Sequence, residues 1–330
     1  MKAVYIKEFG GPENLEIREV PEPREPQGSE VRVRVRAVGL NRADIMQRRG
    51  KYPPPTGFSP NIPGLEFAGE IVENGPFASK FKTGDRVFGI TAGEAQAELI
   101  VIDESLLAAI PANLDYSQAA AFPEAFITAH DALFTQAHFR PTETLLIHAV
   151  GSGVGLAALQ LAKERGCFVI GTSRTASKLE KCVEFGLDRA IAAGSPPIFA
   201  DNVKAATDGR GTDVVLDLVG GNYFPESLAS LAVKGRIMLV GLTAGRSAEI
   251  NLGTALYKRA KIIGTALRAR SNAEKAEAVR LFSDEVVPLI AAGKLNANLD
   301  EIFAFEDIRR AHEYMESNDS FGKIVLELRN

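Results

Sequence analysis

The stretch from Thr144 to Lys178 constrains this chain more than any other. Leu145, Leu146 and Ile147 form a short apolar run of the kind that makes a buried parallel strand. Gly151, Gly153 and Gly155 follow at once, with Ala149 where a first glycine would stand. Leu156 to Arg165 is then rich in good helix formers, Gly166 offers a left-handed stop, and Cys167 to Gly171 reads as the next strand. Glycine suits such a turn because a pyrophosphate must approach the free N–H groups of a helix start, where the macrodipole is positive. A bare glycine pattern is weak evidence, and an ordinary strand-to-helix turn would share it. Strand, glycines, helix and second strand in sequence point to a dinucleotide.

The end of the second strand decides which one. NAD sites place Asp or Glu there, about 20 residues past the glycines, to hold the ribose 2′-hydroxyl. Here the chain reads Gly171-Thr172-Ser173-Arg174, with Lys178 one turn on and no carboxylate before Glu180. Ser173, Arg174 and Lys178 suit a 2′-phosphate and so NADPH; the competing reading leaves Arg174 and Lys178 as solvated charges at a helix start. Gly151, Ser152, Gly153 and Val154 form the expected phosphate turn.

A chain of 330 residues has room for two domains, each with a core. Its formal net charge of −4 argues against nucleic acid or an anionic membrane as main partner, and no 18-residue apolar span occurs. Met1 to Gly10 lacks a signal-peptide core. Cys167 and Cys182 fit neither a metal spacing nor a disulfide framework, and His130, His138, His148 and His312 show no ligand spacing. The expected compartment is the reducing cytoplasm.

The first 110 or so residues read as short strands and turns, a small antiparallel β domain. Strands are expected at Lys2 to Ile6, Asn14 to Glu19, Val31 to Val38, Glu70 to Glu73, within Gly84 to Gly89, and at Gln96 to Val101. In the third, Val31, Val33, Val35 and Ala37 face one way and Arg32, Arg34 and Arg36 the other, which is period-two alternation between core and water. A short helix is expected from Arg42 with Asn41 as N-cap, ended by Pro53-Pro54-Pro55. Six strands of a doubly wound sheet are expected at Thr144 to Ala149, Cys167 to Thr172, Arg189 to Ala192, Val214 to Leu218, Arg236 to Val240 and Ile262 to Ala266. Ligands in such sheets sit beyond the strand C-termini, which places a nicotinamide near Val219, Gly241, Leu242 and Leu267. Later, Ala276, Val279, Phe282, Val286 and Leu289 recur at helical spacing and read as core. A strand, Ile302 to Phe305, a helix, Asp307 to Glu316, and a strand, Lys323 to Leu328, follow.

Several segments together resemble the medium-chain dehydrogenases/reductases, and within them the zinc-free quinone oxidoreductases related to zeta-crystallin. They are Ala37-Val38-Gly39-Leu40-Asn41-Arg42-Ala43-Asp44, Pro63-Gly64-Leu65-Glu66, Gly84-Asp85-Arg86-Val87, the Gly151–Gly155 turn, Gly235-Arg236 with Val240-Gly241, and Gly322-Lys323-Ile324-Val325. The resemblance runs essentially end to end. It implies an α/β protein: a Rossmann doubly wound parallel sheet over 125–266, and a GroES-like, mostly antiparallel β domain over 1–124 and 267–330.

The zinc enzymes of that superfamily use a Cys and a His as catalytic ligands; here Asn41 falls in the Cys region and Leu65 precedes Glu66 where the His would be. No metal is expected. Without a Lewis acid an alkoxide is hard to form, whereas an electron-poor quinone can take a hydride when held roughly 3–3.5 Å from the donor. The resemblance implies that Tyr52 lines the substrate cleft beside Asn41 and Asp44. Related enoyl reductases use a tyrosine at the similar place as proton donor, so Tyr52 reads either as donor or as aromatic wall. Asn41 and Thr128 are implied near the nicotinamide end. One departure weighs on the cofactor reading: many quinone oxidoreductases carry an Asn-Tyr pair where this chain has Ile191-Ala192-Ala193, so Ser173, Arg174 and Lys178 must carry the 2′-phosphate. The expected activity is NADPH-dependent reduction of quinones, ortho-quinones included. Reduction of enals or enoyl thioesters, and NADPH binding without catalysis, are the alternatives; a homodimer through sheet edges is implied by the family.

Overall fold

A computed structural model describes residues 1–328. The chain divides into two compact units, Met1–Ile127 with the chain from Leu267 onward, and Thr128–Ala266.

The first unit is built on the strand Glu30–Gly39. Val31, Val33, Val35 and Ala37 are fully buried, as the alternation requires. On the other face only Arg34 is exposed; Arg32 and Arg36 are partly buried, Arg32 lying 3.0 Å from Glu73, and the Nε atoms of both are buried. Among the described residues seven strands join in one sheet. Its order is Leu299–Ala304, Lys323–Glu327, Glu30–Gly39, Glu66–Asn74, Arg86–Ile90 and Leu107–Ala109, with Leu99–Asp103 also paired to Glu30–Gly39. Only the pair Leu299–Ala304 and Lys323–Glu327 is parallel. Lys2–Ile6 and Leu15–Glu19 form a separate antiparallel ribbon. The strand expected at Gln96 begins later, at Leu99, because the residues before it pair only through an isolated bridge between Ala97 and Ala3.

One helical expectation needs correcting. Val279, Phe282 and Val286 are buried, but Ala276 and Leu289 are only partly so, and Ile290 takes the place of Leu289 in the core. The turn Phe282–Val286 is a π-helix, which adds a residue and moves the buried phase on by one.

The second unit is a six-stranded parallel sheet among the described residues. Its order is Arg189–Ala192, Phe168–Ser173, Thr144–His148, Thr212–Asp217, Leu231–Leu239 and Lys261–Gly264. In chain order that is 3-2-1-4-5-6, the doubly wound arrangement. All five pairings are parallel. The helix after the first strand starts earlier than its composition predicts, at Gly153 rather than Leu156, so it opens inside the glycine run. Ser152 is its N-cap, with Oγ accepting from the Gly155 N–H at 3.2 Å. Cys167 and Cys182 are both free and buried.

Two positions fix the shape of this turn. Ala149 has φ +49°, in the left-handed region where a Cβ is unfavourable. At Gly155 a Cβ would lie 2.6 Å from the carbonyl oxygens of Ala149 and Val150, closer than side chains tolerate. Ala149→Gly should therefore raise stability by up to about 1 kcal/mol, and Gly155→Ala should lower it by about 3 kcal/mol. Denaturant unfolding of the two variants checks both signs.

Candidate active site

A buried ionic cluster lies in the first unit. Its centre is the ion pair between Lys323, on the strand Lys323–Glu327, and Glu66, which opens the strand Glu66–Asn74. The two are 2.5 Å apart and at most 4% exposed. Lys323 Nζ also donates to the carbonyl of Leu40 at 2.8 Å and to Asn41 Oδ1 at 2.9 Å. Glu66 Oε1 accepts from Asn41 Nδ2 at 2.8 Å, and its Oε2 accepts from the backbone N–H of Glu124 at 2.8 Å. Asn41 therefore does more than begin a helix: its amide bridges both members of the pair.

Asp44 stands three residues on, in the first turn of the helix Arg42–Arg48. Its Oδ2 accepts from the Asn41 N–H at 2.8 Å and its Oδ1 from the Gly64 N–H at 3.0 Å. Burial pushes its pKa up to about 6, against the pull of these N–H groups, Arg268 and Lys323. With 1% exposure and both oxygens committed to backbone, Asp44 is a fastening rather than a group open to a ligand.

Tyr52 is partly buried, in the loop after that helix. The guanidinium of Arg268 lies 5.0 Å from its ring centroid and donates to its carbonyl oxygen at 2.9 Å. Arg268 is itself held by the carbonyl of Ala92 at 2.7 Å and Gln47 Oε1 at 2.5 Å. Burial raises the Tyr52 phenol above its ordinary value, with Arg268 opposing, so it stays protonated at neutral pH. Glu124 faces the same cluster: burial first, then the Glu66 carboxylate, push its pKa up to about 8. Neither Glu124 nor Arg268, Gln47 or Lys275 stands out in the sequence as a site residue. Glu66 and Lys323 stand inside quoted motifs without a role. The available signal was a charge amid apolar strand residues, as in Lys323-Ile324-Val325-Leu326.

The second unit holds the glycine turn. Gly151, Ser152, Gly153 and Val154 form the start of the 12-residue helix Gly153–Glu164 and the cap before it. Ser173 ends its strand, Arg174 is exposed just beyond, and Lys178 lies in the first turn of the helix Ala176–Glu184. This hydroxyl-and-cation set, with no carboxylate before Glu180, fits a phosphomonoester. Thr128 lies in the helix Pro123–His130. Val219 and Gly241 follow the strands Thr212–Asp217 and Leu231–Leu239, and Leu242 is exposed. Asp217 is fully buried and gathers the Val219 and Gly220 N–H groups at 2.9 and 2.8 Å. Its Oδ2 is buried with no partner among the described residues. Leu267 belongs to the first unit, with Asn41, Asp44 and Tyr52.

Two family models match: an alcohol dehydrogenase GroES-like domain over residues 27–112 and a zinc-binding dehydrogenase over 153–284. The quinone oxidoreductase of Pseudomonas aeruginosa is 35% identical over 326 residues, covering 98% of this chain and 99% of that protein. The chain belongs to the quinone oxidoreductases, the zinc-free branch of the medium-chain dehydrogenases/reductases. Quinone oxidoreductase of Escherichia coli, solved with NADPH, has a TM-score of 0.89 at 30% identity, covering 99% of this chain and 100% of that one. The CurK enoyl reductase has a TM-score of 0.88 at 28% identity, with 99% of each chain covered. Within this branch, the described residues of the present chain include no group of three or more His, Cys, Asp or Glu arranged to hold a metal ion. No helix among them is long and apolar enough to cross a membrane.

The pair at the centre of the cluster makes a stability prediction. Lys323→Met leaves the Glu66 carboxylate buried without its cation and should cost about 3–5 kcal/mol in denaturant unfolding. Adding Glu66→Gln should recover much of that loss, because the double variant buries no orphan charge. A loss of under about 1 kcal/mol from Lys323→Met alone would mean that water reaches Glu66 in the variant.

Proposed function

We propose that this protein is an NADPH-dependent, zinc-independent reductase of quinones, ortho-quinones included. The observation that carries the reading is the carboxylate-free set Ser173, Arg174 and Lys178, in a chain similar along its length to a quinone oxidoreductase solved with NADPH. When bound, NADPH supplies a hydride. The N–H groups at the start of the helix Gly153–Glu164 receive the pyrophosphate, and Ser173, Arg174 and Lys178 receive the 2′-phosphate. Asn41, Thr128, Val219, Gly241, Leu242 and Leu267 remain the residues proposed for the rest of the cofactor. Tyr52, stiffened by the Arg268 guanidinium over its ring, offers a flat wall for a quinone and a phenol able to donate to an oxyanion. Asp44 acts as a positioning group, fixing Asn41 and Gly64.

The similarity to the CurK enoyl reductase favours a second reading, reduction of an enoyl thioester with Tyr52 as donor. NADPH oxidation measured against phenanthrenequinone, crotonyl-CoA and a blank separates the two. Turnover of the quinone is expected; turnover of the thioester alone would reject the first reading, and binding without any oxidation would leave only an NADPH-binding protein.

Arg174→Ala should raise the Kd for NADPH about tenfold, the worth of one charge-assisted hydrogen bond, and leave NADH nearly unchanged. Fluorescence titration with both nucleotides checks this; equal losses would count against a 2′-phosphate contact. For assembly we propose a homodimer through the edge strand Lys261–Gly264, where Ile262 is 50% exposed near Leu256 and Tyr257 at 73% and 83% on the preceding helix. Sedimentation at micromolar concentration should give a dimer that Ile262→Lys converts to monomer.

A further inference from the structure

The second unit carries a tyrosine that the reading above leaves unused. Tyr223 ends the short helical turn Gly221–Tyr223, which the chain reaches from the strand Thr212–Asp217 through Gly220 and Gly221 at φ +65° and +54°. A Cβ on Gly221 would collide with the Ala244 carbonyl, so glycine is needed for this path. Tyr223 is 7% exposed, and its ring packs on His148 and Phe199 with centroids 5.2 and 5.7 Å apart. Two bonds tie this cluster to the end of the strand Phe168–Ser173. His148 Nδ1 lies 2.9 Å from Thr172 Oγ1, and Thr172 stands two residues before Arg174. Ala193 shares the apolar cluster of Tyr223 and Phe199, and its N–H donates to the Ser173 carbonyl at 2.9 Å. Among the described residues the Tyr223 hydroxyl has no hydrogen-bond partner, yet its oxygen is not one of the buried orphan atoms. The core therefore holds the ring while the oxygen meets solvent. Burial raises the phenol above its ordinary value against the pull of the Arg174 charge, so it keeps its proton at neutral pH.

A 2′-phosphate presents three oxygens, each a strong acceptor. Ser173, Arg174 and Lys178 approach it from one strand end and the helix that follows. The neighbouring strand Arg189–Ala192 runs out into Ala192 and Ala193, which offer no side-chain donor. We propose that Tyr223 is a further ligand of the 2′-phosphate, its hydroxyl donating to a phosphate oxygen, and so a determinant of preference for NADPH over NADH. The proposal rests on the reading of Ser173, Arg174 and Lys178 given above. The ring is locked by His148 and Phe199 before any cofactor arrives, so this hydrogen bond costs little ordering. Arg174 is exposed and supplies charge; Tyr223 supplies a donor in a fixed place.

Tyr223→Phe tests this, because it removes the hydroxyl and keeps the ring; its unfolding midpoint should match the parent's. In fluorescence titrations the Kd for NADPH should rise about tenfold and that for NADH should not change. The fragment 2′,5′-ADP, which carries the phosphate without the nicotinamide, should lose the same factor in calorimetry, and 5′-AMP should lose none. Phosphorus NMR of bound 2′,5′-ADP gives a readout that ring packing alone would not move. A donor to the phosphate favours its dianion, so the second ionisation of the 2′-phosphate should sit at higher pH in Tyr223→Phe than in the parent. Tyr223→Phe with the parent's NADPH affinity overturns the proposal. Equal losses for NADPH and NADH overturn it as well, since they would set the phenol against another part of the nucleotide. A parent protein that binds NADPH no better than NADH overturns the cofactor reading itself, whatever Tyr223→Phe gives.

Discussion

A lysine and a glutamate taken out of water hold the first unit together. Each costs several kcal/mol to desolvate, so the pair is tolerated only if every donor and acceptor is used. Here they are: Lys323 spends its three N–H groups on Leu40, Asn41 and Glu66, and Glu66 accepts from Lys323, Asn41 and the Glu124 backbone. These bonds join the strand Lys323–Glu327, the end of the strand Glu30–Gly39, the strand Glu66–Asn74 and the start of the helix Pro123–His130. Close packing reinforces the join, since a Cβ on Gly39 would collide with the Glu66 carboxylate and the Ala120 carbonyl.

The same lock explains why much of the site was illegible in the sequence. Period-two alternation at Val31 to Ala37 and the glycines at 151–155 are local patterns, and both read through to structure. The contacts of the cluster are not local: Lys323 and Glu66 are 257 positions apart, and Glu124 and Glu66 are 58 apart. No window on the chain brings them together, and a lone Glu at a helix start reads as an ordinary first-turn acid. Tyr52, Asn41 and Asp44 were named through resemblance, and the geometry then divided their work: Asn41 bridges the ion pair, Asp44 fastens backbone, and Tyr52 keeps an accessible face. The π-turn at Phe282–Val286 was hidden for a different reason, as it adds one residue without any compositional mark.

In the second unit the constraint is backbone rather than charge. Strand order reverses between Thr144–His148 and Thr212–Asp217, and a crevice for a ligand opens at such a switch point. The turn leaving the first of these strands passes through Ala149 at φ +49° before the helix begins. The turn leaving the second is gathered by Asp217, whose Oδ1 takes two N–H groups. Both loops are thus held by bonds within their own chain, which lowers the ordering cost of binding.

Arg268 connects the electrostatics of the cluster to its chemistry. It is 5% exposed, and its guanidinium faces Asp44, Glu124 and Tyr52 at once. A cation there favours the ionised form of all three, yet Glu124 still rises to about 8 because burial and Glu66 outweigh it. Had Glu66 been neutral, the Arg268 and Lys323 charges would act on Glu124 with less opposition and its proton would be held less firmly. The ion pair that closes the fold also acts on an acid beside it: Lys323 neutralises Glu66 for the purpose of burial, and the Glu124 backbone N–H is bonded to the carboxylate of the pair. Structural and chemical demands on residue 66 are therefore met by one charge, which is why an uncharged substitute there would alter proton affinity even where it preserved the fold.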